Sequence, residues 1–200
     1  MEPPDRVPGL TARAGVTLRP WHLSEQDLDL VRQASHDDYI PAITTVPRPY
    51  TDAEGEAFVR RQWHRTATGA GYPFVIVAPG GSPLGSVGLW LKDPDQGRAS
   101  LGYWLAESGR GRGAASAAVV AVADWAMHRL EIPRLELYVE PWNTPSQRTA
   151  ERAGFRHEGV LRACMQIAGE RRDMAVYALH RSDPPERLWE AATAGPRDES

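Results

Sequence analysis

The sequence predicts an α+β fold: a mixed, mostly antiparallel sheet with a central parallel strand–helix–strand (βαβ) crossover and helices on both faces. Three observations predict it. Residues 71–105 hold three β-rich runs separated by turn chemistry, the pattern of an antiparallel meander. A long alanine- and valine-rich run follows at about 112–130, and "RLELYVE" (134–140) then alternates apolar with polar residues. A strand, a long helix and another strand in that order demand a parallel, right-handed crossover.

The elements follow in order. "VTLRPW" (16–21) reads as a short strand. "SEQDLDLVRQASHDDY" opens with Ser24 as N-cap and acidic residues in the first turn, which predicts a helix. "TDAEGEAFVRRQWHRTA" (51–67) repeats that form, with Thr51 and Glu54 as a capping box and Phe58, Val59 and Trp63 as the apolar stripe. "GYPFVIVA", "LGSVGLWL" and "ASLGYWLAE" are the three meander strands. After the long helix and the 134–140 strand, "NTPSQRTAERAG" predicts a helix with Asn143 as N-cap and Gly154 as its stop. "FRHEGVLRACMQIAG" and "ERRDMAVYALH" predict a closing strand pair.

Composition bounds the rest. At 200 residues and 42% hydrophobic content, one domain is expected over 15–181. Residues 1–14 read as a flexible lead-in, and 182–200 as a tail that either stays loose or docks "ERLWEAA" as a short helix. A formal net charge of -3 favours neither nucleic acid nor an anionic membrane as partner. Cys164 is the only cysteine and the six histidines are scattered, so no metal site is predicted. No secretory leader or membrane-spanning run is evident, which places the expected location in the cytoplasm.

The chemistry concentrates at "ESGRGRGAAS" (107–116), where a strand gives way to a helix. The first N–H groups of a helix lack internal partners, and the helix dipole favours negative charge there. Glycines let the backbone approach a ligand, and guanidinium forks suit phosphate oxygens. The combination suits a pyrophosphate, although it matches neither a P-loop nor the dinucleotide-binding glycine fingerprint. Taken alone, the segment reads equally well as a glycine loop with two solvated arginines.

"RGRGAA" (110–115), "GYWL" (102–105) before it and "NTPSQRTAERAGFRHEGVLR" (143–162) after it resemble the GNAT superfamily of N-acetyltransferases, in particular the RimJ/RimL-like branch that acetylates ribosomal-protein N-termini. The resemblance runs from about residue 16 to 180. It implies the GNAT fold, acetyl-CoA as cosubstrate and a primary amine as acceptor: a protein N-terminus, a lysine or a small molecule. It implies that the strand carrying Tyr103, Trp104 and Leu105 splays from its neighbour to admit the pantetheine arm. The amides of Arg110, Gly111, Arg112, Gly113, Ala114 and Ala115 would cradle the pyrophosphate. Asn143 would cap its helix or bond a cofactor amide, and Ser146 would protonate the departing thiolate. An amide near Leu105 would face the tetrahedral oxyanion. Arg148 and Arg152 share a helix face that either meets the 3′-phosphate or is simply solvated. Related proteins often pair through their last strands, so a homodimer is one expectation.

The attacking amine must lose a proton, and here the sequence departs from the family. In similar proteins a glutamate on the strand after "EG" serves as base; in a gap-free register Met165 stands there, and no carboxylate follows until Glu170. Glu140, His157 and Asp38 remain as alternatives. On the acceptor side, Tyr39, Trp63 and Trp90 are candidate pocket walls as well as candidate core, and "SHDD" (35–38) could attract a cation. Two other readings stay open: a non-catalytic acyl-CoA-binding regulator that has lost its base, and a transferase using another acyl-CoA such as succinyl-CoA.

Overall fold

The computed structural model describes residues 7–183. The strands are β1 (Leu10–Thr11), β2 (Thr17–Arg19), β3 (Gly71–Val77), β4 (Pro83–Asp93), β5 (Arg98–Leu105), β6 (Arg134–Val139), β7 (Arg156–Ile167) and β8 (Glu170–His180). The helices are α1 (Glu25–Ser35), α2 (Ile40–Ile43), α3 (Asp52–Ala67), α4 (Ala114–His128) and α5 (Thr144–Arg152). All eight strands form one sheet in the order β1-β2-β3-β4-β5-β6-β8-β7. β5 and β6 are parallel, joined through α4, and the other neighbouring pairs are antiparallel.

The local signals act as their chemistry requires. The Ser24 side chain accepts from the Asp27 amide and starts α1; Thr51 accepts from the Glu54 amide and starts α3. Period-two alternation then divides the strand side chains between two cores. Phe74, Ile76, Val87, Leu89, Leu101, Leu135 and Leu137 pack under α4. Val75, Val77 and Trp104 face α1 and α3, with Trp21, Leu30, Phe58 and Trp63. The alanines of α4 (114, 118, 123 and 126) are buried and let the helix axis lie close to the sheet, while Val119, Val122 and Met127 fill what remains. Each buried valine or methionine contributes about 1.5–3 kcal/mol relative to exposure.

Three details differ from the sequence expectation. The lead-in is not structureless: Leu10 and Thr11 pair with Leu18 and Thr17, and Val7 joins the core. The tight turn at 13–15, where Ala14 and Gly15 take positive φ, brings the chain back beside the edge of β2 and adds a strand. The long helix begins at Ala114 rather than near 112, because Gly111 and Gly113 adopt left-handed φ of 78° and 72°. The helix α2 was not anticipated. Most of the expected tail, including "ERLWEAA", lies outside the described residues. Among those described, no helix is long and apolar enough to cross a membrane.

Candidate active site

Parallel pairing between β5 and β6 runs from Arg98–Arg134 to Leu101–Leu137 and then stops, although β5 continues to Leu105 and β6 to Val139. The two strands therefore diverge at their C-terminal ends, and backbone from Gly102 onward faces a gap rather than a partner strand. Tyr103 and Trp104 point to opposite faces. Trp104 is core, 8% exposed and 6.2 Å from the Trp21 ring. Tyr103 lies on the α4–α5 side, its hydroxyl 2.8 Å from the Ser146 hydroxyl. Burial pushes the Tyr103 phenol above its ordinary value, so it stays protonated.

The turn from β5 into α4 presents bare amides. Gly113 occupies the N-cap position and supplies no side chain to it. Ala117 N–H is the first amide to bond back into the helix, to Gly113 O at 3.1 Å. Among the described residues the amides of 111–116 have no hydrogen-bond partner, and the Arg112 side chain has none either. Glycine's missing Cβ leaves open space over Gly111 and Gly113. A concave row of N–H groups at a helix N-terminus fits the pyrophosphate of acetyl-CoA.

Arg110 departs from its expected place in this cradle. Its amide donates to Glu107 O, and its guanidinium donates to Leu105 O and to the Asp37 carboxylate. The unpartnered amides thus begin at Gly111. Burial pushes the Asp37 carboxyl up, but the Arg110 guanidinium and the amides of Ile40 and Tyr39 outweigh it and hold the group below the ordinary carboxylate value.

At the start of α5, Asn143 Oδ1 accepts from the Ser146 amide at 3.1 Å, so Asn143 is the N-cap, and its side-chain amide also interacts with the Tyr39 phenol. This turn fixes Ser146 beside Tyr103. Arg148 and Arg152 are exposed on the same helix.

The opposite face of the gap is bounded by the α1–α2 loop. Glu136, Tyr138 and Glu140 point there, because Leu135, Leu137 and Val139 face α4. Tyr39 donates its hydroxyl to Glu140 Oε2 at 2.5 Å, and its ring meets Trp142 edge-on at 5.0 Å. Burial and then the Glu140 carboxylate raise the Tyr39 phenol far above its ordinary value. Leu105, Arg110, Asp37, Tyr39 and Glu140 therefore form a chain of contacts across the mouth of the gap, from the end of β5 to the end of β6. Sequence reasoning treated Tyr39 as a wall and missed both this hydroxyl contact and Trp142, which is 61% exposed. No periodic signal marks such a contact between residues 101 positions apart.

The aromatic walls separate. Trp63 is core, its indole N–H donating to Trp21 O at 2.7 Å. Trp90 is half-buried, lies over Gly88 and Gly102, and carries the Arg65 guanidinium 5.0 Å above its ring. A Cβ on Gly88 would stand 2.3 Å from Trp90 Cζ2, so glycine is what lets the indole lie flat on the sheet. A cavity of about 470 Å³ lined by Arg32, Ser35, His36, Arg48, Pro49 and Tyr50 opens beside α1, but none of Tyr103, Ser146 or Glu140 lines it.

Among the base alternatives, Asp38 is paired with Arg48 and its side chain is 95% exposed. His157 lies exposed on β7 against Tyr177. Met165 resumes the β7–β8 pairing after an irregularity that follows Leu161, and brings no carboxylate with it. Glu140 is the one of the three alternatives that borders the gap.

A family model described as an acetyltransferase (GNAT) domain matches residues 16–156. An uncharacterized N-acetyltransferase of Bacillus licheniformis, p20, is 30% identical over 166 residues, covering 82% of this chain and 92% of that protein. RimJ of Mycobacterium smegmatis, solved in complex with CoA-disulfide, superposes with a TM-score of 0.78 at 27% identity, covering 96% of this chain and 97% of that one. RimL, described as a ribosomal L7/L12 alpha-N-protein acetyltransferase in complex with coenzyme A, shares the fold with a TM-score of 0.72 at 22% identity, over 86% of this chain and 98% of that one.

Proposed function

The chain belongs to the GNAT acetyltransferase family and is an acetyl-CoA-dependent N-acetyltransferase, and from that premise we propose how its residues divide the reaction and which acceptor it serves. The cradle from Gly111 to Ala115 holds the pyrophosphate, with Ser116 at its edge. The pantetheine arm would lie between β5 and β6, its amides bonding the β5 backbone groups that face the gap and lack a partner on the β6 side, as an added strand would. The observation that carries this reading is the divergence of β5 and β6 beside six unpartnered helix-start amides.

Bound acetyl-CoA supplies an activated acyl carbon and a thiolate leaving group. Ser146, held by Tyr103, donates the proton that the thiolate takes. The acceptor is a primary amine entering from the α1–α2 side, where Tyr39 and Trp90 flank the way in. A peptide N-terminus is favoured over a lysine or a free small amine, because Trp142, exposed against Tyr39, offers aromatic surface to the side chains that follow a terminal residue.

Calorimetric titration with CoA and a thiol-release assay over peptides, lysine analogues and small amines test the reading. Gly113→Glu is expected to abolish CoA binding without unfolding the protein, since a side chain and a negative charge then occupy the cradle. Undiminished CoA affinity in that variant sinks the cradle, and faster thiol release with lysine analogues than with peptides sinks the preferred acceptor.

A further inference from the structure

The buried carboxylates of this protein are not alike. Asp27, fully buried, accepts from both ends of the Arg19 guanidinium and from the His22 amide. Glu136 accepts from Arg134 at 2.6 Å and from the Tyr138 hydroxyl at 2.7 Å. Glu140 is 4% exposed, yet it accepts one side-chain hydrogen bond, from Tyr39 to Oε2. Its Oε1 accepts none, and Arg172 Nε stands 3.9 Å away, beyond hydrogen-bond reach. A carboxylate offers about four acceptor sites, and burying it with most of them unused is costly unless a ligand fills them.

We propose that Glu140 is the general base of the transfer, that the acceptor's ammonium group takes the vacant Oε1, and that Tyr39 is the positioning residue that holds the carboxylate at the mouth of the gap. The inference rests on the N-acetyltransferase reading and deepens it. It supplies the group missing at Met165, from the end of β6 instead of from β7. It also gives the acceptor a charge class: a cation is drawn to this carboxylate before it reacts. The charged and titratable groups facing Glu140 are Tyr39 from the α1–α2 loop and Arg172 from β8, and Arg172 is itself drawn away by Glu170 at 2.7 Å.

The step balances. Glu140 takes one proton from R–NH3+, freeing the nitrogen lone pair. That pair forms the C–N bond to the acyl carbon, and the C–S bond breaks with its electrons on sulfur. A second nitrogen proton ends on sulfur through the Tyr103–Ser146 hydroxyl pair, and Glu140 releases its own proton to water. One ammonium and one thioester become one amide, one thiol and one proton.

Glu140→Gln and Tyr39→Phe are compared with the parent protein by thermal melting, CoA calorimetry and kcat/KM for a peptide α-amine between pH 7 and 9. Both variants are expected to keep their melting temperature and CoA affinity, since Gln can still accept the Tyr39 hydroxyl and Phe keeps the contact with Trp142. At pH 7, Glu140→Gln is expected to lower kcat/KM about 100-fold, in the range for loss of a general base. The deficit should shrink toward pH 9, because an α-amine with a pKa near 8 then supplies its own free base. Tyr39→Phe should show the same trend at smaller amplitude. A deficit that is absent or constant with pH, or a loss of CoA affinity, makes Glu140 structural and overturns the inference while the transferase reading stands. Absence of thiol release by the parent protein across the amine panel overturns both.

Discussion

The hydroxyl of Tyr103 on β5 and the hydroxyl of Ser146 on α5 are 2.8 Å apart, so two hydroxyls from elements separated by the whole of α4 and β6 meet beside the gap. A serine hydroxyl alone is a poor acid. In the proposed reaction the half-buried phenol bonded to it, which desolvation keeps protonated, would give the departing thiolate a route to a proton through two exchangeable hydrogens. Ser146→Ala is expected to lower kcat about 100-fold with little change in CoA affinity, within the usual span for an acid catalyst. Tyr103→Phe should lower kcat by a smaller factor, and the double variant should lose less than the product of the two, since one relay is being broken twice. Single-turnover kinetics with each variant check this, and fully multiplicative losses would show that the two hydroxyls act independently.

The pairing of Arg110 with Asp37 gives the motif's first arginine a different task from the one its position suggests. Its guanidinium ties the cradle turn to the α1–α2 loop. The ion pair is half-exposed, so its contribution to folding is expected to be below about 1 kcal/mol. Its effect should fall on the acceptor instead, because Asp37 also accepts from the amides of Tyr39 and Ile40 and so sets where Tyr39 stands. Arg110→Ala is expected to raise the acceptor KM several-fold while changing CoA affinity less than tenfold. A hundredfold loss of CoA affinity, read by calorimetry, would instead place Arg110 on the pyrophosphate.

What could be read in the sequence is what local chemistry decides. Ser24, Thr51 and Asn143 announce helix starts because a short polar side chain must satisfy an orphan amide, and each does so. The meander and the crossover follow from alternation and turn residues, which act over a few positions. The glycine–arginine turn is legible as a place, but the direction of Arg110 is not, because its partner Asp37 lies 73 residues away. The same distance problem hides Tyr39 on Glu140. A linear pattern shows which face a β6 residue takes, but not which loop crosses over that face.

Asp27 shows how far such unseen contacts reach into stability. In the sequence it is one of several acidic residues near the start of α1, suited to the helix dipole and otherwise unremarked. In the fold it is fully buried, and Arg19 binds it through both guanidinium nitrogens at 2.9 and 2.6 Å, while the His22 amide adds a third bond at 2.8 Å. These bonds fasten α1 to β2 and fix the Pro20–Ser24 turn between them. Removing the carboxylate leaves the His22 amide unpaired and the partly buried Arg19 guanidinium with only its bond to Pro20 O, and breaking a buried pair in this way costs about 3–5 kcal/mol. Arg19 is 26% exposed on its side chain, so water recovers part of that loss and the low end applies. Asp27→Ala is therefore expected to lower the urea unfolding free energy by about 3 kcal/mol, with Asp27→Asn intermediate because its amide oxygen can still accept one bond. An equilibrium urea titration showing less than 1 kcal/mol for Asp27→Ala would mean that the α1–β2 junction is held by Trp21 and Leu30 packing alone.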